Sequence, residues 1–387
     1  MSKLRIFIGF SEIANFVNSY KKGFEALGYK TYTVVGYSNK YYPNARYDVV
    51  LSEKNQFFRQ IPGLLGCFLR SFNARLCAAF IFFKALARCQ IFYYNTGGNI
   101  LPFRLDYWFI KLFRKKLVVI FLGSDIRHWY LYQLDLERLG YDELFAPCIE
   151  AYRKQDFGKL KDKLERVNAA EAYADLILSQ PGFAQLQTKP YNRVNVGLFL
   201  PDYGFAVPGR KHPLIVHAPS ARGVKGTEFV EDAIQRLVKE GFIFDFRLIE
   251  NMPNHKLLDL LVESDIVIDE LNSDTIGVLS TEAMATGNAV LTSFMADFVK
   301  IPKTCPVQNT NRFNIYENLK RLIIDIDFRC SLANEGRKYV EMHHDICNLA
   351  VNELAWLASL NKSYDFKPHF TIKKSIIDYI LKKERTS

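Results

Sequence analysis

The sequence predicts an α/β protein built from two doubly wound, Rossmann-like domains that face a cleft. Short apolar runs rich in β-branched and aromatic residues alternate with segments of helical periodicity, and this alternation occurs twice along the chain. The length of 387 residues suits two domains of ordinary size. Hydrophobic residues make up 49% and charged residues 24%, which excludes a largely disordered chain.

The first alternation opens with a strand, a helix and a second strand. KLRIFIGF predicts the first strand, a helix follows from Asn18 to Leu27, and Gly28 ends it before TYTVVGY. Further strands are predicted at 48–52, 90–95 and 116–124, then a charged helical stretch at about 129–174 and a strand in DLILSQ. Such strands pair in parallel through right-handed crossovers. Residues 1–182 are therefore predicted to form the N-terminal domain.

A second alternation follows a stretch of weak periodicity at 183–211, which we interpret as the interdomain connection. Strands are predicted in PLIVHAPS, FIFDFRLIE, DIVIDEL and NAVLTS, with helices between them at 226–241, 254–264 and 277–287. Residues 212–345 are predicted to form the C-terminal domain. Helices in 346–387 are expected to pack back on the N-terminal domain or to lie on a membrane, since TIKKSIIDYILKKERTS predicts a basic amphipathic helix.

The net charge of +10 indicates an acidic partner. Residues 54–104 contain basic and aromatic residues but no Asp or Glu. One interpretation is a surface that rests on anionic lipid. The alternative is that the aromatic residues belong to the core and the basic residues form a solvated face. The longest uncharged run, Leu76 to Phe83, is too short to span a bilayer.

Cysteine usage and the N-terminus predict a cytoplasmic protein, with the inner face of the membrane as a peripheral location. The seven cysteines are scattered and form no C-x-x-C pair, so they indicate neither a disulfide framework nor a zinc site. The N-terminus leads directly into a strand pattern without the apolar region of an export signal. We expect no metal and no cofactor.

Two cations precede the first helix of the predicted C-terminal domain. Arg222 and Lys225 lie just before GTEFVEDAIQRLVKEG, where the helix dipole is already positive. Cations at this position are favourable when an anion is bound between them, so we interpret the pair as a phosphate clamp. The alternative is a solvated basic loop.

A second cluster follows the strand DIVIDEL. Asp274 precedes a predicted helix, Gly277 permits close approach of a ligand to the backbone, and Glu282 lies about a turn and a half into the helix. The first amides of that helix form another anion site. The two carboxylates suit the hydroxyl groups of an extended polyol ligand.

These two segments resemble the donor-binding half of the GT-B glycosyltransferases, in particular the retaining family 4 of bacterial surface-polysaccharide type. The resemblance implies that Arg222 and Lys225 hold the donor diphosphate and stabilise it as it leaves, without a metal ion. It further implies that Asp274 contacts the donor sugar and Glu282 the ribose, and that the amides at Gly277, Val278 and Leu279 contact the phosphates. Ser280 and Thr281 are expected to add hydroxyl contacts.

A segment of the N-terminal domain is also similar to these enzymes. Leu122-Gly-Ser-Asp-Ile-Arg-His128 resembles their HGSD-IR segment, with Leu122 in place of the histidine. Asp125 and Arg127 are therefore candidate catalytic and substrate-binding residues on the acceptor side, although Asp125 equally suits a helix cap. Asn251, in the loop after FIFDFRLIE, is a candidate contact to the donor base.

The resulting hypothesis is a glycosyltransferase that moves a sugar from a nucleotide-diphosphate donor to a glycan or lipid-linked acceptor in surface polysaccharide biosynthesis. Retention of configuration is implied by the resemblance, and an anionic membrane surface is the expected further partner. A sugar-nucleotide epimerase of the same architecture is an alternative. A nucleic-acid-binding protein would explain the charge but not Asp274 and Glu282, so no nucleic acid partner is expected.

Overall fold

A computed structural model describes residues 4–53, 63–155, 158–207, 209–360 and 363–386. The chain forms two compact units, each built around one parallel β-sheet with helices between its strands, which confirms the predicted α/β fold class. The first unit comprises Met1–Arg127, Gly158–Val194 and Ala350–Ser387. The second unit comprises His128–Phe157 and Asn195–Leu349.

The elements of the first half of the chain are, in order, β1 (Arg5–Phe10), α1 (Phe16–Ala26), β2 (Lys30–Val35), β3 (Val49–Val50), α2 (Gly63–Arg88), β4 (Ile91–Asn95), α3 (Leu105–Leu112), β5 (Lys116–Ile120), α4 (Trp129–Leu139), α5 (Asp142–Gln155), α6 (Leu160–Tyr173), β6 (Leu176–Ser179) and β7 (Asn192–Arg193). Those of the second half are β8 (Leu214–His217), α7 (Arg222–Lys225), α8 (Thr227–Lys239), β9 (Asp245–Leu248), α9 (Asn254–Glu263), β10 (Ile266–Ile268), α10 (Val278–Thr286), β11 (Ala289–Thr292), β12 (Gln308–Asn309), α11 (Ile315–Ile324), α12 (Ile326–His343), α13 (Ile346–Ala358) and α14 (Lys374–Thr386).

The first unit contains a seven-stranded sheet in the order β3-β2-β1-β4-β5-β6-β7. Its central strands are largely apolar because helices cover both faces of a parallel sheet, and Phe7, Phe92 and Val118 are all fully buried. Gly28 follows α1 with a φ of 84°, a left-handed conformation that favours glycine and ends the helix as predicted.

The second unit contains a five-stranded sheet in the order β12-β11-β10-β8-β9. Helices α4 and α5 belong to this unit, although they lie within the range 1–182 predicted for the N-terminal domain. Their apolar residues Tyr132, Leu136 and Phe145 form a core cluster with Met295, which follows β11. Burial of these side chains explains why an early part of the chain packs with the later sheet.

The C-terminal helix packs on the body of the first unit, one of the two arrangements expected for it. Ile380 on its apolar face is buried, and the helix contacts α6. The Glu384 carboxylate accepts the backbone N–H of Leu160 at 2.9 Å. Because Leu160 begins α6, this bond satisfies one of the amides that lack a partner within the helix.

The described part of α2 has apolar residues on both a buried and an exposed side. Residues 54–62 of that stretch lie outside the described part of the chain. Ile81 and Phe82 of α2 are buried in the core, as the alternative interpretation expects. Phe72 and Phe80 are exposed instead, so the helix also has an apolar outer face.

A buried carboxyl group in the first unit should make its stability depend on pH. Glu353 of α13 is 4% exposed and accepts the Tyr20 hydroxyl at 2.6 Å. Burial raises the pKa of Glu353 from 4.5 to about 8. The folded state therefore binds more protons than the unfolded state between these values, and stability is lost as the pH rises through this window.

We expect Glu353→Gln to reduce this loss by a few kcal/mol, because glutamine keeps the hydrogen bond without ionising. Urea denaturation at pH 5 and pH 9 measures the effect. The substitution should change the free energy of unfolding little at pH 5 and raise it relative to the parent at pH 9. An equal effect at both pH values would contradict the ionisation of Glu353 as the cause.

Candidate active site

The two central strands of the second unit bring the two predicted donor segments together. β8 and β10 are neighbours, with His217 opposite Ile268. From β8 the chain goes to β9 on one side and then crosses to β10 and β11 on the other. The loops after β8 and β10 therefore leave the sheet where the strand order reverses, which is where doubly wound sheets bind ligands.

Lys225 is held at this point by two carboxylates. Its side chain is 12% exposed, and its Nζ donates to Asp269 Oδ1 at 2.8 Å and to Glu270 Oε1. Burial alone would lower the pKa of Lys225, but the two adjacent carboxylates raise it above its ordinary value. Burial likewise acts to raise the pKa of Asp269, but Lys225 and Ser280 hold it below its ordinary value. Lys225 is therefore charged at neutral pH.

Asp269 also fixes the start of α10. Its Oδ2 accepts the backbone N–H and the hydroxyl of Ser280, at 3.1 and 2.7 Å. A Cβ at Gly277 would lie 3.1 Å from the same Oδ2, so glycine allows this close approach. One buried carboxylate therefore connects Lys225 to the N-terminus of the helix predicted to hold phosphate.

The hydroxyls next to that N-terminus are already engaged. Thr281 Oγ1 donates to the Gly277 carbonyl at 2.9 Å, and the Ser280 hydroxyl donates to Asp269. The first amides of a helix, here those of Val278 and Leu279, have no carbonyl partner within it. The backbone amides of α10 are therefore better suited to an incoming anion than its hydroxyls.

Glu282 and Asp274 are both buried in this region. Glu282 Oε1 accepts the Tyr203 hydroxyl at 3.3 Å and the Asn254 amide at 3.0 Å. Burial raises the pKa of Glu282 to about 7. The carbonyl of Asp274 accepts the backbone N–H of Met295 at 3.0 Å, which connects the β10 loop to the segment after β11.

Arg222 differs from Lys225 in its surroundings. Its side chain is 46% exposed and pairs with the partly exposed Glu231 at 2.7 Å and the exposed Glu250 at 3.7 Å. Asn251 follows Glu250 and is exposed, with a φ of 57°. Arg222 and Lys225 precede α8 as predicted, but they also form a short helix of their own.

Asp125 and Arg127 lie in the first unit, after β5. Asp125 is buried, and its Oδ1 accepts the backbone N–H of Gly123 at 2.7 Å while Oδ2 accepts that of Leu122 at 3.1 Å. The expectation that Asp125 caps the following helix is wrong, because α4 begins at Trp129 and has no side-chain cap. Burial raises the pKa of Asp125 above its ordinary value. Arg127 is half-buried.

Sequence reasoning missed four residues that shape the site. Asp269 and Glu270 directly follow the apolar strand β10, and a carboxylate pair just after a central strand was the available signal. Asn254 begins α9, and Tyr203 lies in the predicted connection. Neither position has a local pattern that would indicate contact with Glu282.

Comparisons with known proteins give similarity at the level of structure. No family model and no curated protein sequence matches the chain. A sucrose-phosphate synthase from Thermosynechococcus elongatus superposes with a TM-score of 0.58 at 13% identity, covering 91% of this chain and 98% of the other. An alpha-glucosyltransferase in complex with UDP and a 13-mer DNA containing an HMU base gives a TM-score of 0.55 at 11% identity. The match covers 93% of this chain and 100% of the other.

WaaG, a glycosyltransferase involved in lipopolysaccharide biosynthesis, gives a TM-score of 0.51 at 12% identity over 92% of this chain and 100% of its own. At these identities the matches establish the fold. The chain has the two parallel-sheet α/β units of the GT-B glycosyltransferases.

Proposed function

We propose that the protein is a glycosyltransferase that transfers a sugar from a nucleotide-diphosphate donor to a glycan or lipid-linked acceptor. The observation that carries the proposal is the cluster at the point of strand reversal in the second unit. There, Lys225 of α7 and the backbone N–H of Ser280 near the start of α10 both donate to Asp269, and buried Glu282 lies in the same helix. Cations and helix amides suit a diphosphate, and carboxylates suit sugar hydroxyls.

The diphosphate would replace carboxylates that now neutralise the cations. The partners of Arg222 are at least partly exposed, and ion pairs of this kind are weak, so a diphosphate can take their place. Lys225 would keep buried Asp269 and exchange the partly exposed Glu270 for a phosphate oxygen. The amides of Val278 and Leu279 complete the proposed anion site, which needs no metal ion.

The remaining predicted contacts are each assigned to one part of the donor. In this proposal Asp274 binds the sugar, Glu282 the ribose and Asn251 the base, and Thr281 lies near the phosphates. Transfer with retention would break the bond from the anomeric carbon to the phosphate oxygen and form a bond to the acceptor oxygen on the same face. The acceptor proton passes to the leaving diphosphate, whose charge Arg222 and Lys225 stabilise.

The first unit supplies the acceptor side in this proposal. A cavity of about 380 Å³ lies where β2 and β3 end, and Tyr37, Arg75 and Asn99 are among its lining residues. Asp125 and Arg127 are proposed to act on the same side. Assembly of a surface polysaccharide on a lipid carrier, at the cytoplasmic face of the membrane, is the proposed setting.

The first test is thermal stability against a panel of nucleoside diphosphates and their sugars, with and without EDTA. We expect one base to stabilise the protein equally in both conditions, since a ligand at 100 times its dissociation constant adds about 2.7 kcal/mol. Arg222→Ala should weaken this ligand roughly tenfold or more, as expected for a lost charged hydrogen bond.

Arg247→Ala is the matched control, because Arg247 is 47% exposed and pairs with an exposed carboxylate on β9. It should bind the nucleotide as the parent does. A product assay with a glycan or lipid acceptor then separates transfer from epimerisation, and the configuration of the new bond tests retention. Stabilisation by no nucleotide, or an equal loss in Arg247→Ala, would refute the assignment of the donor site.

A further inference from the structure

The solvent-exposed side of α2 has a row of apolar residues where a polar surface would be usual. Phe72, Leu76, Phe80 and Phe83 are 53%, 54%, 71% and 46% exposed. Their spacing of four, four and three residues puts them on one side of the helix. The opposite side of the same helix, with Ile81 and Phe82, is buried in the core.

Helix α3 continues this surface. Trp108 and Leu112 are 46% and 55% exposed. Phe109, between them, packs against Phe83 of α2 with ring centroids 5.3 Å apart and against Trp108 at 5.0 Å. The two helices are therefore adjacent here, and their exposed residues form one surface. The outer aromatic face consists of Phe72, Leu76, Phe80, Phe83, Trp108 and Leu112.

The segment that carries this surface is strongly basic, although Lys111 and Lys116 pair with Asp175. Residues 54–124 contain eleven lysines and arginines and one acid, Asp106, which is fully buried. Arg75 and Lys84 are exposed. At about 100° per residue they lie roughly 90° to either side of the apolar stripe of α2. Apolar side chains bordered by cations are the arrangement of a helix that lies in a lipid interface.

We propose that the outer aromatic face docks on an anionic lipid bilayer, with its aromatic side chains in the interface and its cations at the headgroups. Within the described residues no helix is long and apolar enough to cross a membrane. A second copy of this face is a poorer partner, because symmetric association would bring like charges together. An anionic bilayer satisfies both the apolar area and the charge.

The inference deepens the proposed function by naming the surface on which a lipid-linked acceptor is met. Vesicle binding requires neither donor nor acceptor, so the two proposals can fail separately. Failure to bind vesicles with intact nucleotide binding would leave the transferase proposal standing. Vesicle binding without any stabilisation by a nucleotide would support the lipid-binding surface and refute the donor site.

The test is sedimentation of the full-length protein with vesicles of equimolar phosphatidylglycerol and phosphatidylcholine, compared with phosphatidylcholine alone. We expect binding to the anionic vesicles, weakened by salt. The double variant Phe80→Ser, Trp108→Ser should reduce the partition coefficient about tenfold or more, because two interfacial side chains are lost. Arg75→Gln with Lys84→Gln should reduce it about fivefold for each cation removed.

Phe313→Ser is the matched control, because Phe313 is 66% exposed in the second unit. It should bind vesicles as the parent does. Sedimentation velocity of the protein without vesicles tests whether a second copy of the chain binds this face instead. Equal vesicle binding by the double variant, or an oligomer that this variant dissociates while vesicles do not bind, would overturn the proposal.

Discussion

Replacing Lys225 with methionine should lower the free energy of unfolding of the second unit by about 3–5 kcal/mol. Lys225 is the cation shared by Asp269 and Glu270, and Asp269 is fully buried. Methionine fills much of the same volume but leaves Asp269 charged, with Glu270 beside it. The cost is that of an uncompensated buried charge and not of a cavity.

Urea denaturation measures this loss. Trp129 lies in the second unit, so its fluorescence in a Trp108→Phe, Trp356→Phe background follows that unit. The double variant Lys225→Met, Asp269→Asn should recover much of the stability, because asparagine is neutral and still accepts hydrogen bonds from Ser280. Absence of any recovery would show that the loss arises from packing and would contradict the electrostatic explanation.

Gly287→Ala should destabilise the second unit by about 2–5 kcal/mol. Gly287 ends α10 with a φ of 97°. A Cβ there would overlap the carbonyl oxygen of Ala206 and lie 2.9 Å from its carbonyl carbon. Both the left-handed backbone and the contact with main-chain atoms oppose a side chain, and neither is relieved by rotating a side chain.

Gly241→Ala separates these two causes. Gly241 has a φ of 86°, but its added Cβ would have no heavy atom within 4 Å. Gly241→Ala should therefore lower the free energy of unfolding only by the backbone contribution of about 1–2 kcal/mol. The same denaturation assay compares the two variants, and equal losses would show that the Ala206 contact has no energetic effect.

The alternation of strands and helices was predictable because it depends on local periodicity. The predicted helices at 226–241 and 277–287 correspond to α8 and α10, each followed by a glycine with positive φ. The arrangement of α4 and α5 was not predictable, because the burial of their apolar residues against Met295 is decided by a partner more than 100 residues away.

The candidate site shows the same division. The segments around Arg222 and Glu282 stand out in the sequence because charged residues there follow strands and begin helices. Their actual partners do not stand out. Arg222 pairs with Glu231, nine residues on, and Glu282 contacts Tyr203 and Asn254. The partners of both charged groups are therefore set by the folded structure and not by the local sequence pattern. The donor contacts themselves stay predictions.

Helices α4 and α5 also affect the order in which the protein can fold during synthesis. They leave the ribosome before Met295 has been made, so their apolar sides lack the cluster that later covers them. A gene cut between Val194 and Asn195 would likewise separate these helices from the rest of their unit. Chimeras that exchange the second unit should therefore carry residues 128–157 together with 195–349.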